Sequence, residues 1–175
     1  MRSRGFTAVE LLVVIIIMAI LLMLAVVNVR STQISARDND RNVDVESISL
    51  ALESYYNADH SGYTKTYPGT SDIVDGQDGM SYLKEHVHDN SLRAPGVSSS
   101  DPISLVMATN NQSASGVTPT PTIKTYVYQP ITNSGSLCSS YQTPCRKFFI
   151  YYKLESATAD CPAPTNVCTY SSKNQ

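Results

Sequence analysis

The chain has 175 residues and a formal net charge of −2, with 13 Lys and Arg against 15 Asp and Glu. Once its apolar N-terminal segment is set aside, this length is that of a single domain. A mildly acidic chain without clustered Lys and Arg does not favour nucleic-acid binding, so the composition gives no support to a role in DNA uptake.

The N-terminus combines a short basic leader, residues 1–5, with a long apolar segment, residues 6–29. The leader contains two arginines and ends at Gly5. No charged residue occurs from Leu11 to Val29, and Asn28 is the one strongly polar residue there. Such a run is long enough to cross a bilayer as a helix.

The small residue that could mark a cleavage site precedes the apolar segment instead of following it. A secretory signal peptide is cleaved after its apolar run, whereas Gly5 stands in front of this one. Cleavage after Gly5 would keep the apolar helix and create a new amine on Phe6. The segment's one charge is Glu10, and a carboxylate at the edge of an apolar helix is costly unless a positive group meets it.

The run Gly5-Phe6-Thr7-Ala8-Val9-Glu10 resembles the N-terminus shared by type IV pilins and type II secretion pseudopilins. With the later Ala36-Arg37-Asp38, the resemblance covers residues 1–68. It implies cleavage by a prepilin peptidase between Gly5 and Phe6, and N-methylation of Phe6. It also implies a pilus assembly platform and a helical filament of identical subunits, in which Glu10 faces the Phe6 amine of a neighbour.

The helix is predicted to continue through residues 30–58, because neither Gly nor Pro occurs between Phe6 and Asp59. Helical periodicity places six apolar or aromatic side chains on one face. These are Ile34, Val45, Ile48, Leu52, Tyr55 and Tyr56. Val43 and Leu50 fall on the opposite face and are candidate inter-subunit contacts, although isolated apolar residues on a surface are also common.

Residues 59–175 are predicted to form a globular head. His60-Ser61-Gly62 should end the long helix, with Gly62 in a left-handed conformation. A short helix is predicted at residues 80–88, and strands at residues 103–107, 124–129, 146–155 and 167–171.

Alternation along the strand at residues 146–155 should turn Phe148 and Ile150 toward the helix and Phe149 and Tyr151 away from it. The expected fold is α+β and pilin-like, with the C-terminal half of the long helix packed on a small antiparallel sheet.

The head offers one weak metal candidate, the loop that carries Asp72, Asp75 and Asp78 with Gly76 and Gly79. A corresponding loop binds calcium in some major pseudopilins, but the spacing here is not that of an EF-hand and acidic residues are common in turns. The favoured expectation is no cofactor and no metal.

Four cysteines lie in the last quarter of the chain, and in a segment carried across a membrane they indicate disulfides. Local pairing would join Cys138 to Cys145 and Cys161 to Cys168. Nested pairing would join Cys138 to Cys168 and Cys145 to Cys161. Zinc binding is a weaker alternative, because the spacing exceeds that of usual zinc sites.

The resemblance favours a structural subunit of a type IV pilus that serves surface attachment or motility. Its head would be extracytoplasmic on a single-pass membrane helix before assembly, and the pilus would lie at the cell surface. The alternatives are a pseudopilin of a type II secretion or DNA-uptake apparatus and, in another class, a membrane-tethered binding module. An enzyme is not expected, since no catalytic triad can be placed among the Cys, Ser and His residues.

Overall fold

The computed structural model describes residues 7–59, 64–140 and 143–173, and within these only the backbone of residues 25–28. The helices are α1 (Ala8–Asn57), α2 (Asp78–His86) and a short 3₁₀ helix (Asp89–Leu92). The strands are β1 (Leu105–Met107), β2 (Tyr126–Thr132), β3 (Cys145–Lys153) and β4 (Val167–Ser171).

The chain forms two compact units, Met1–Ala36 and Arg37–Gln175. The first unit contains the N-terminal part of α1, and the second contains the rest of α1 and the four strands. The prediction of one continuous helix through residues 30–58 is confirmed to within one residue, since α1 ends at Asn57. The helix is unbroken because it contains neither proline nor glycine. The helix stop predicted at His60-Ser61-Gly62 lies outside the described residues.

The four strands form one sheet in the order β1-β2-β3-β4. β2 pairs with β3 and β3 pairs with β4 in antiparallel fashion, but β1 runs parallel to β2. The α+β fold class is therefore confirmed, while the sheet is mixed where a wholly antiparallel one was predicted. The cause is the connection between β1 and β2, residues 108–125, which is long enough to return the chain to the same end of the sheet.

The strand predicted at residues 124–129 extends through Pro130 and ends at Thr132. Proline normally interrupts a ladder because it has no backbone N–H. Pro130 lies opposite Phe148 of β3, and the pairing of β1 with β2 ends at Tyr128. Within the described residues, β1 therefore takes no hydrogen bond from Pro130, and the Pro130 carbonyl still accepts the Cys138 N–H at 2.9 Å.

The main core of the second unit lies between α1 and one face of the sheet. Val45, Ile48 and Leu52 are fully buried and belong to one cluster with Phe148 and Ile150 of β3. Alternation along β3 is thus as predicted, since Tyr151 belongs to a separate cluster on the other face. The remaining predicted elements are present as well, with β4 matching residues 167–171 and α2 beginning two residues before the predicted helix.

A buried carboxyl, that of Asp44, lies in the same helix–sheet contact. Asp44 is 8% exposed and accepts a hydrogen bond of 2.9 Å from the Tyr126 hydroxyl. Burial raises the pKa of Asp44 to about 6 from its ordinary value of 3.8, although the hydrogen bonds from Tyr126 and Ser91 oppose the shift. The folded protein therefore binds a proton at this carboxyl in a pH range where the unfolded chain does not.

The Asp44→Asn variant should be more stable than the wild type at neutral pH, by about 1–3 kcal/mol. Because the pKa of Asp44 is higher in the folded state, this carboxyl costs the wild type stability as pH rises from about 4 to about 6. Asparagine keeps an oxygen that can accept from Tyr126 but does not titrate. Thermal unfolding of both full-length proteins in detergent should show a difference that grows across this pH range, and a difference independent of pH would contradict the assignment.

Candidate functional site

The first half of α1 presents apolar side chains that nothing in its own unit covers. Every residue from Val9 to Leu24 is exposed, with the large apolar side chains between 47% and 74% exposed. Within the described residues, α1 is the one helix long and apolar enough to cross a membrane, and its most apolar window has a mean hydropathy of 3.2. In water such a surface is unfavourable, so this segment requires lipid or other apolar helices around it.

The N-terminus of α1 carries a capping box made by Thr7 and Glu10. The backbone N–H and the hydroxyl of Thr7 both donate to one carboxylate oxygen of Glu10, each at 2.9 Å. The Glu10 N–H donates in return to the Thr7 hydroxyl oxygen at 3.3 Å. This reciprocal pattern satisfies N–H groups that have no partner within a helix. In a single chain, Glu10 is therefore bound to a residue three positions away, which the Thr-x-x-Glu spacing could have indicated.

The other two predicted N-terminal residues, Gly5 and Phe6, lie outside the described residues. The geometry of the predicted cleavage bond, and of the amine that cleavage would create, is therefore not described.

Val43 and Leu50 lie on the exposed side of the second half of α1. Each is 51% exposed, whereas Val45 and Ile48 between them are fully buried. Val43 also lines a groove of about 240 Å³ with Asp40, Arg93 and Pro95. Both residues are accessible to another molecule.

An ion cluster joins α1 to the connection between β3 and β4. Arg37 makes a bidentate pair with Glu155, with both N–H···O distances at 2.7 Å. The Arg41 side chain, only 1% exposed, lies 2.9 Å from Asp38 and 3.0 Å from Glu155. Hydrogen bonds from Arg37 and then from Arg41 lower the pKa of Glu155 to about 2, so the Glu155 carboxyl is ionised at neutral pH.

Asp38 extends this cluster to the main chain of the connection. It accepts the backbone N–H of Glu155 at 2.8 Å and that of Ser156 at 3.0 Å. In the sequence, Arg37 and Asp38 stand out only through the family resemblance, and no pattern there marks Glu155 as their partner. The cluster holds the head on the helix, and buried ion pairs of this kind mainly specify geometry.

The four cysteines form two local disulfides, Cys138–Cys145 and Cys161–Cys168. The first joins the segment that bonds to Pro130 to the start of β3, and the second ties the connection beside the ion cluster to β4. Of the alternatives left open by the sequence, the structure has the local pairing. Each closed loop contributes on the order of 2–3 kcal/mol under the chain-entropy model.

The three aspartates of the suggested calcium loop each have a partner within the protein. Asp72 accepts the Gly69 N–H at 2.7 Å, Asp75 forms an ion pair with Lys84, and Asp78 accepts the Tyr55 hydroxyl at 3.0 Å. In the part of the chain that the structure describes, no group of three or more His, Cys, Asp or Glu side chains could hold a metal ion. The loop is organised by these internal contacts.

Comparison with protein-family models, with curated proteins and with solved structures gives no match to this chain.

Proposed function

We propose that the chain is a structural subunit of a type IV pilus-like filament, stored in the membrane and polymerised through the first half of α1. The observation that carries this proposal is an uncovered apolar helix segment that directly follows the Gly5-Phe6 and Glu10 motif. A prepilin peptidase would remove residues 1–5, and an assembly platform would then add the subunit to the fibre. The role is structural, and it requires no catalytic residue.

An apolar helix suits both of the environments that such a subunit would meet. In the bilayer its backbone groups are satisfied internally and its side chains contact lipid. In a filament the same side chains would contact other helices, so the transfer exchanges one apolar environment for another. The exposure of every residue from Val9 to Leu24 supports this reading, because no described residue of the same unit covers them.

Glu10 would select the axial register of the filament. Cleavage after Gly5 would place a positive amine on Phe6, and the Glu10 carboxylate of a neighbour could meet it in a low-dielectric core. The capping contact with Thr7 satisfies Glu10 in the single chain, so assembly would exchange this contact for an ion pair.

Two alternatives share parts of this arrangement. A pseudopilin of a secretion or DNA-uptake apparatus would use the same N-terminus. The two disulfides favour a surface-exposed pilus over a pseudopilus, because covalent links stabilise subunits of a fibre outside the cell. A membrane-tethered binding module would use the helix but would need neither Glu10 nor a cleavage site in front of the apolar segment.

Subunits in sheared surface filaments should begin at Phe6 and carry one N-terminal methyl group. The reason is that Gly5-Phe6 is the bond that matches the prepilin pattern. Mass measurement of the N-terminal peptide tests this directly. An intact Met1, or any other first residue in the fibre, would overturn the proposal.

Glu10→Ala should sharply reduce the number of surface filaments, whereas Thr7→Ala should leave most of them. The first variant removes the carboxylate, while the second removes only the two contacts of the Thr7 hydroxyl and leaves the charge available to a neighbour. Filaments are counted by electron microscopy at matched subunit levels, with the N-terminal mass checked because Thr7 lies near the cleavage bond. Equal loss in both variants would show that Glu10 acts through the cap and not through a neighbouring amine.

Val43→Asp and Leu50→Asp should each reduce filament number without weakening the head, because both side chains are half exposed on α1. Val74→Asp is the matched control, since Val74 is also 51% exposed but lies in the loop before α2. Protease resistance should be unchanged in all three variants. If Val74→Asp lowers filament number as much as the helix variants do, the helix face is not the contact.

A further inference from the structure

A second candidate site lies in the head, on the face of the sheet that turns away from α1. It is a cavity of about 620 Å³ between the strands and the loops that rise beside them. This size falls within the range of about 300–1,000 Å³ that is typical of small-ligand sites. The proposed filament function does not use this cavity.

The floor of the cavity is aromatic and rigid. The rings of Phe149 and Tyr151, neighbours on β3, are stacked with their centroids 6.1 Å apart and their planes at 27°. The Tyr151 hydroxyl donates to the Gln129 side-chain oxygen at 3.1 Å. Gln129 in turn donates to the backbone oxygens of Asn110 and Gln112, both at 2.9 Å. The Tyr151 hydroxyl and the Gln129 side chain are therefore hydrogen-bonded, and these bonds hold the Tyr151 ring against which Phe149 stacks.

The rim of the cavity is polar. The Asn111 side chain donates to the Gly135 carbonyl at 2.9 Å and thereby joins the loop on one side to the β2–β3 turn on the other. Within the described residues, the side chains of Asn133, Lys147 and Thr169 line the cavity without a hydrogen-bond partner. An amide, an ammonium and a hydroxyl are thus available above an aromatic floor.

The charge of the residues that line the cavity limits which class of ligand it can bind. Lys147 is the only charged residue among the described residues that line the cavity, and no carboxylate faces it there. A metal ion would find no anionic ligand at this site. A nucleic-acid strand would need several cations along its path, whereas the described lining of this cavity supplies one, in a chain with net charge −2.

We propose that this cavity binds a saccharide that carries a carboxylate group. The C–H face of a sugar ring is weakly positive and stacks on the negative face of an aromatic ring, which Phe149 provides. The sugar hydroxyls can exchange hydrogen bonds with Asn133 and Thr169, and the carboxylate can accept from the Lys147 ammonium. The same chemistry occurs in free acidic sugars and in surface polysaccharides.

The test is isothermal titration calorimetry, in which each of two sugars is titrated into the full-length chain held in a detergent without a sugar headgroup. One ligand is a disaccharide that contains glucuronic acid, and the other is the same disaccharide with glucose in its place. The acidic sugar should bind roughly three- to fivefold more tightly at low salt, which is the usual gain from one exposed ion pair. Raising the salt concentration should reduce this preference.

Lys147→Gln should abolish the preference for the acidic sugar and leave binding of the neutral sugar unchanged. Lys153→Gln is the matched control, because Lys153 lies on the same strand and the same face but does not line the cavity. It should behave as the wild type does. An equal effect of the two variants would indicate general charge attraction and overturn the site.

Phe149→Leu should weaken binding of both sugars, roughly three- to tenfold, since it removes the stacking ring but keeps apolar volume in the floor. Thermal unfolding shows whether the head of the Phe149→Leu variant is intact. If that variant is unfolded, the Lys147→Gln variant still tests the proposal. The proposal fails if neither sugar shows saturable binding at millimolar concentration. It also fails if a short single-stranded oligonucleotide binds more tightly than both sugars under the same conditions.

Discussion

The packing of α1 against β3 is the contact on which the rest of the head depends. Val45, Ile48 and Leu52 are fully buried there, and each side chain contributes about 1.5–3 kcal/mol on full burial. This contact fixes the rotation of the helix about its axis. Because Val45, Ile48 and Leu52 face inward, Val43 and Leu50 must face outward. Arg41 must then lie beside the connection that carries Glu155. The exposed surface of the second half of α1 is thus a consequence of its core.

Features set by local periodicity could be predicted from the sequence. The absence of Gly and Pro predicted the unbroken helix, and alternation along β3 predicted which side chains meet it. Direction and extent of pairing could not be predicted in the same way. The parallel course of β1 depends on the path of residues 108–125, and the tolerance of Pro130 depends on where β1 stops. The direction of β1 and the acceptance of Pro130 in β2 both depend on how neighbouring segments are placed in the sheet.

The candidate sites follow the same division. The Thr7–Glu10 cap spans four residues and has a recognisable spacing, so it could be predicted from the sequence. The partner of Arg37 is Glu155, which lies 118 positions away, and no pattern in the sequence connects them. The cavity on the outer face depends on the contact of Asn111 with Gly135, which joins two loops that are themselves irregular. Such sites emerge only when distant segments are placed together.

The cap at Glu10 changes how the proposed ion pair would act in assembly. A carboxylate that entered an apolar environment without partners would cost several kcal/mol, and the Thr7 contacts offset part of that cost while the subunit is alone. A neighbour's Phe6 amine would then contribute only the difference between a charged partner and a neutral one. That difference is smaller than a full ion-pair energy and depends strongly on distance, so it suits the choice of register. The cohesion of the proposed filament would come instead from contacts of the apolar side chains between Val9 and Leu24, which are exposed and do not depend on one geometry.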